Sequence, residues 1–239
     1  MASSGADNGS LIECRDLCKH FRVRDRSVRV LDGVQLSVGR GEIVVITGRT
    51  GSGKSTLLGL LGGLDRPSSG AVFLEGRRVD GLAGPQWAAI RRQKIGFLFQ
   101  SFNLLPSWTA VENVEAALLH TDMPKSTRRE KAGSLLAAFA LEGRMEHLPS
   151  ELSVGQQQLV AIARSLANEP LLLLADEPTG DVDPETAREI VSRLAAPVRA
   201  RGAALIVVTH GGFPLEQADR LLRLANGTLT AAAAAAGES

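Results

Sequence analysis

The 239-residue chain has no tyrosine, two cysteines and almost no net charge. Each shortage removes a class of function. With 27 basic and 26 acidic residues the formal charge is +1, so charge balance supplies no general attraction to nucleic acid or anionic lipid; a local basic patch stays compatible with it. Cys14 and Cys18 make one short-range pair, far from a disulfide framework, and their C-x-x-x-C spacing lacks the second ligand pair of a metal site. A reducing compartment is the expectation. No apolar run reaches the roughly 18 residues of a bilayer span, and the opening MASSGADNGS has no apolar stretch behind a basic start. By itself such a chain is expected to form neither a membrane channel nor a carrier. Core material, by contrast, is in ordinary supply. At 44% hydrophobic and 22% charged residues, composition argues against a disordered or fibrous chain, and the length suits one large domain or a core with an elaborated lobe.

The organisation is legible in outline. Residues 1–10, small and polar, read as a disordered tail, and 230–239 as an Ala-rich flexible tail, because neither offers the mixed apolar volume of a core. Between them lie three runs that are apolar on both faces, Ile43 to Ile46, Leu171 to Leu174 and Leu205 to Val208, which suit buried parallel strands. Polar residues follow each run: Gly48 to Ser55, Asp176 with Glu177, and Thr209 with His210. Ligands of open α/β sheets bind beyond the carboxyl ends of the strands, so the three clusters are expected to face one crevice. Glu75-Gly76 between two short runs predicts a hairpin, and Asn226-Gly227 a turn. Thr109 to Met145 has helical spacing broken at Pro124, as in an inserted helical lobe. Pro184 to Arg201 reads as a crossover helix that Pro197 should bend or end early.

The most informative string is GRTGSGKST, Gly48 to Thr56, which matches G-x-x-x-x-G-K-[ST] where a strand gives way to a helix placed at Leu57 to Leu64. Glycines let successive backbone N–H groups curl around phosphate oxygens, and the following helix adds its positive end. Lys54 would neutralise β- and γ-phosphates, and Ser55 would place its hydroxyl on Mg²⁺. A Gly-rich turn with an exposed lysine is the bland alternative. Asp176 is suited to hold Mg²⁺ through water, and Glu177 to polarise an attacking water. Gln100, after the apolar Ile95 to Phe99, and His210 are individually weak signals that gain from matching placement. In LSVGQQQ, Ser153 and Gln156 fit a capping box that starts the helix Gly155 to Leu166; the same end, with Ser153 and an unobstructed Gly155 N–H, is an anion site able to meet the nucleotide of a second subunit.

On these residues the chain resembles the ATP-binding subunit of ABC (ATP-binding cassette) transporters over about 11–229. The resemblance implies an α/β fold: a P-loop NTPase (RecA-like) core, an antiparallel β subdomain and an inserted helical subdomain at about 100–168. It makes Gly48, Arg49, Thr50, Gly51, Ser52, Gly53, Lys54, Ser55 and Thr56 the Walker A loop for ATP. Gln100 becomes the Q-loop, Leu152 to Gln156 the signature with Ser153, Gly155 and Gln156 toward nucleotide, and Glu177 the catalytic carboxylate. Gly180 to Asp183 becomes the D-loop and His210 the switch histidine. Ser55, Gln100 and Asp176 would serve Mg²⁺. The family's adenine-stacking aromatic is often tyrosine; without one, Phe21 is the nearest candidate.

A finer resemblance, in Gln100 to Leu119 and Ala175 to Asp183, is to the branch containing lipoprotein-release, macrolide-export and cell-division ATPases. It implies a second ATPase subunit, identical or different, a separate integral membrane permease and no nucleic acid, at the cytoplasmic face of the inner or plasma membrane, with transport or force transmission as output. Two positions depart from the family: Val154 replaces the first signature glycine, and Leu159 a usual Arg or Lys. A non-transport ABC ATPase, or a low-turnover nucleotide-binding regulatory subunit, is the alternative.

Overall fold

The structure, a computed structural model, describes residues 9–24, 26–180, 182–211 and 213–232. The tail readings at 1–8 and 233–239, and Asp181 within the D-loop reading, lie outside these residues; at their inner ends the tail readings are corrected, since Ser10 begins a strand and Thr230 and Ala231 pair with Arg223 and Leu222 in another. In chain order the strands are β1 (Ser10–Val23), β2 (Arg26–Gly39), β3 (Ile43–Thr47), β4 (Ser69–Leu74), β5 (Arg77–Arg78), β6 (Ile95–Leu98), β7 (Leu172–Asp176), β8 (Ala204–Thr209), β9 (Arg220–Ala225) and β10 (Thr228–Ala231). The helices are α1 (Lys54–Leu61), α2 (Gly84–Lys94), α3 (Ala110–Glu115), α4 (Lys125–Ala138), α5 (Val154–Leu166) and α6 (Pro184–Arg201). Strands β2-β1-β4-β5 make an antiparallel sheet, and β10-β9-β3-β8-β7-β6 a second one whose central pairs are parallel.

The three apolar runs form β3, β7 and β8, side by side as β3-β8-β7. Their alternate residues feed two cores. Ile43 and Val45, Leu173 and Ala175, Leu205 and Val207 face one core with α3 to α6. Val44 and Ile46, Leu172 and Leu174, Ile206 and Val208 face another with α1 and the antiparallel sheet. That is why the strands read as continuous apolar runs: a period of two is buried on both sides, each large side chain contributing about 1.5–3 kcal/mol.

Both expected turns are present. Glu75 and Gly76 (φ 49° and 74°) join β4 to β5, and Asn226 and Gly227 (φ 51° and 79°) join β9 to β10, the two left-handed residues that a tight twisted hairpin needs. Two expectations need correction. The helix after the glycine loop starts three residues earlier, at Lys54, and stops at Leu61, because Gly62 caps it and Gly63 turns left-handed (φ 65°). Pro197 does not end α6, which continues to Arg201 and closes on left-handed Gly202. Leu194, Ala195 and Val198 are buried on either side of the proline, and their packing offsets its cost of about 3 kcal/mol. Among the described residues no helix is long and apolar enough to cross a membrane.

Candidate functional site

The loop 48–53 leaves the carboxyl end of β3 and enters α1. Gly53 caps that helix in a left-handed conformation (φ 100°), and a Cβ there would lie 2.9 Å from Val30 Cγ1. At Gly48 a Cβ would stand 2.6 Å from both the Leu224 carbonyl and Ser52 Oγ. Glycine is therefore required twice by close approach. No side chain caps α1, so its first backbone N–H groups stay available to an anion, and Ser52 Oγ is buried without a hydrogen-bond partner among the described residues. Lys54 is only 6% exposed; its Nζ donates to the carbonyls of Gly48 (2.9 Å) and Arg49 (3.3 Å) and lies 3.7 Å from Glu177 Oε1.

The two adjacent acids have different surroundings. Asp176 ends β7 half-buried, and burial pushes its carboxyl above the usual range against the opposing pull of a hydrogen bond from Ser55; the neighbouring Glu177 charge adds to the rise and Lys54 opposes it. At Glu177 the backbone turns left-handed (φ 49°), uncommon for a residue with a side chain, which lets both carboxylates reach the same side. The Glu177 carboxylate is buried. It accepts from the His210 backbone N–H (3.1 Å) and meets His210 Nδ1 at 2.8 Å, while the histidine ring remains half exposed.

Together these groups line one cavity of about 380 Å³: Thr50, Gly51, Gly53, Lys54, Ser55 and Thr56 from the loop and α1, Gln100 after β6, Asp176 and Glu177 after β7, and His210 after β8. Arg49 and Ser52, with Thr50 and Gly51, line an adjoining hollow of about 420 Å³ closed by Val28 to Val30 and Arg223 to Gly227. Sequence reasoning passed over Arg29, Arg223 and Asn226 there. They arrive on β2 and the β9–β10 hairpin, far along the chain and in no motif.

Gly48, Arg49 and Ser52 of the loop are not among the residues lining this cavity, and four further expected residues lie on other elements altogether. Phe21 is exposed on β1, its ring beneath Lys19 Nζ at 4.9 Å, although its register partner Val28 lines the hollow. Ser153, Gly155 and Gln156 stand at the start of α5. There Ser153 Oγ accepts from Gln156 N (3.3 Å) and Ser153 N donates to Gln156 Oε1 (3.0 Å), completing the capping box. Val154 beside them is 50% exposed, and a Cβ on Gly155 would meet nothing within 4 Å.

Comparison with known proteins gives the family and the fold. Residues 31–180 match the family described as ABC transporter. Over 219 residues, 92% of this chain, it is 43% identical to the macrolide export ATP-binding/permease protein MacB of Brucella melitensis, covering 34% of that protein. It is equally identical to a protein of Thermotoga maritima described as an uncharacterized ABC transporter ATP-binding protein, of which it covers 93%. The chain thus spans about a third of the length of the MacB relatives it matches. Its fold resembles the dimeric structure of a post-hydrolysis state of the ATP-binding cassette MJ0796 bound to ADP and Pi, with a TM-score of 0.86, 36% identity, and 93% and 99% of the two chains covered. A second solved structure, of MJ0796 described as a dimeric bacterial ABC transporter cassette, gives 0.86 at 39% identity over 91% and 96%.

Proposed function

The chain belongs to the ABC transporter family, and we propose that it is an ATP-binding, ATP-hydrolysing cassette, two of which close around two ATPs to drive a separate integral membrane permease from the cytoplasmic face of the membrane. One observation carries the hydrolytic reading: Lys54, Ser55, Gln100, Asp176, Glu177 and His210, from four separate segments, share one cavity at the strand ends.

The glycine loop and the uncapped start of α1 supply backbone donors for phosphate oxygens, and Lys54 supplies a positive charge already held among oxygens there. Mg²⁺ fits the donor set, because the Ser55 hydroxyl, the Asp176 carboxylate and the Gln100 amide line the same space and all offer the oxygen ligands that a hard ion takes beside phosphate and water. Bound there it would neutralise phosphate charge. Glu177, fixed by its left-handed backbone and by His210, is oriented to take the proton of a water attacking the terminal phosphate, and ADP leaves on the far side.

The α5 end supports the reading of a dimer. Glycine within a helix costs about 0.5–1 kcal/mol relative to alanine, and among the described residues nothing lies within 4 Å of where a Gly155 Cβ would stand, which leaves room for a surface to approach that end. That surface is the nucleotide bound to the second subunit. Glu177→Gln tests the hydrolytic role: it should keep ATP affinity and lower kcat by about 10²-fold or more, measured as phosphate release under saturating ATP. Turnover near that of the parent would remove Glu177 from the mechanism.

A further inference from the structure

Helix α5 carries, on its last turn, a side chain that the hydrolytic site does not account for. Arg164 donates from Nη1 to the Asn103 carbonyl at 2.6 Å and from Nη2 to the Phe102 carbonyl. It forms no ion pair among the described residues, and burial without a carboxylate beside it pulls its pKa down. The guanidinium is only partly buried, and in place of an anion it has a planar fork matched to two successive carbonyls.

Those carbonyls belong to an unusual turn. Phe102 and Asn103 are consecutive non-glycine residues in the left-handed region (φ 56° and 48°), separated from Gln100 by Ser101 alone. Phe102 N donates to the Phe99 carbonyl at 3.0 Å and Asn103 N to the Ser101 carbonyl at 2.5 Å, so the chain folds back twice within five residues. Such a conformation persists where surrounding contacts impose it. Arg164 supplies two of them.

The far end of the same segment is held as well. Asn113 on α3 is fully buried; its Oδ1 accepts from Leu105 N (2.7 Å), and its Nδ2 donates to the carbonyls of Leu105 (3.1 Å), Trp108 (2.9 Å) and Thr109 (3.0 Å). Residues 102–109 are therefore strapped to helices at both ends, and Gln100, two residues before the strap, lines the cavity. We infer that Arg164 is a positioning residue: it ties helix α5 to the double turn after Gln100, so that the place of Gln100 in the cavity follows the helix that carries Ser153. This rests on the proposed role of Gln100 at the nucleotide.

Arg164→Lys keeps the charge but cannot span both carbonyls, and Arg164→Gln serves as a second variant should the first fail to fold. Hydrogen–deuterium exchange of either variant should be faster over 100–105 and unchanged through α5. Steady-state ATPase should show kcat lowered about 5- to 20-fold with KM for ATP within about twofold, since the glycine loop is untouched, and the pair with Gln100→Ala should be no slower than Gln100→Ala alone. Unchanged exchange over 100–105, faster exchange throughout α5, or losses that multiply in the double variant would overturn the inference. The exchange result decides the tie by itself: a parent chain without ATPase activity defeats the hydrolytic reading, and the protection of 100–105 still answers for Arg164.

Discussion

Helices α1 and α5 both start beside a serine and a glycine, and their beginnings are built in opposite ways. At α1 the cap is Gly53, left-handed and without a side-chain bond, and the first turn lies inside a cavity with Lys54 buried against carbonyls and Glu177. At α5 the cap is Ser153, its hydroxyl and its N–H both spent on Gln156, with Val154 out in solvent. One end has unspent donors and charged neighbours from its own chain. The other has its cap hydroxyl bonded to Gln156 N and faces outward, an arrangement that fits the proposal of a ligand carried by a second molecule. The difference teaches that the same chemistry, an anion at a helix start, divides here into a half the chain assembles and a half it only presents.

The largest effect that would break this contrast is at α1. Lys54→Ala should lower ATP affinity by about 10²-fold or more, near 3 kcal/mol, with circular dichroism unchanged, as read by isothermal titration. Equal binding would show that the cavity is not the nucleotide site. At α5 the effects should appear only in association. Val154→Gly removes two methyl groups and a stiff χ1 from the presented end; if they cost about 1–2 kcal/mol at each closed site, ATP-driven dimerisation should rise about 5- to 30-fold for each site closed, with monomer affinity for ATP unchanged. No gain would mean that the valine is accommodated. Gly155→Ala is the smallest and sharpest case, because its two effects oppose. The monomer should be more stable by about 0.5–1 kcal/mol, since alanine favours the helix and finds open space, while ATP-driven dimerisation weakens. Thermal melts and sedimentation would separate the two.

Much of the α1 side was legible in the sequence because strands buried on both faces announce themselves and the polar residues after them fall at one sheet edge. The rest had no comparable signal. Helix α2 buries one residue, Trp87, among charged neighbours, so it shows no apolar periodicity. Strands β1 and β2 are long but irregular: Asp16 and Gly33 take left-handed conformations and the pairing shifts register repeatedly, which hides a period of two. Pro197 misleads because a local rule is overridden by burial on both sides of it. The tie from Arg164 to Phe102 and Asn103 joins residues about sixty positions apart through main-chain carbonyls, which carry no trace in side-chain identity.

The central claim, that one chain supplies the hydrolytic half-site and another the capping half, is tested most directly by sedimentation of Glu177→Gln with and without saturating ATP, alongside Glu177→Gln/Ser153→Ala. The account predicts that Glu177→Gln passes from monomer to dimer on adding ATP, and that the double variant binds ATP with the same affinity yet stays monomeric. A Glu177→Gln protein that remains monomeric at saturating ATP, or a double variant that dimerises as readily, would contradict it.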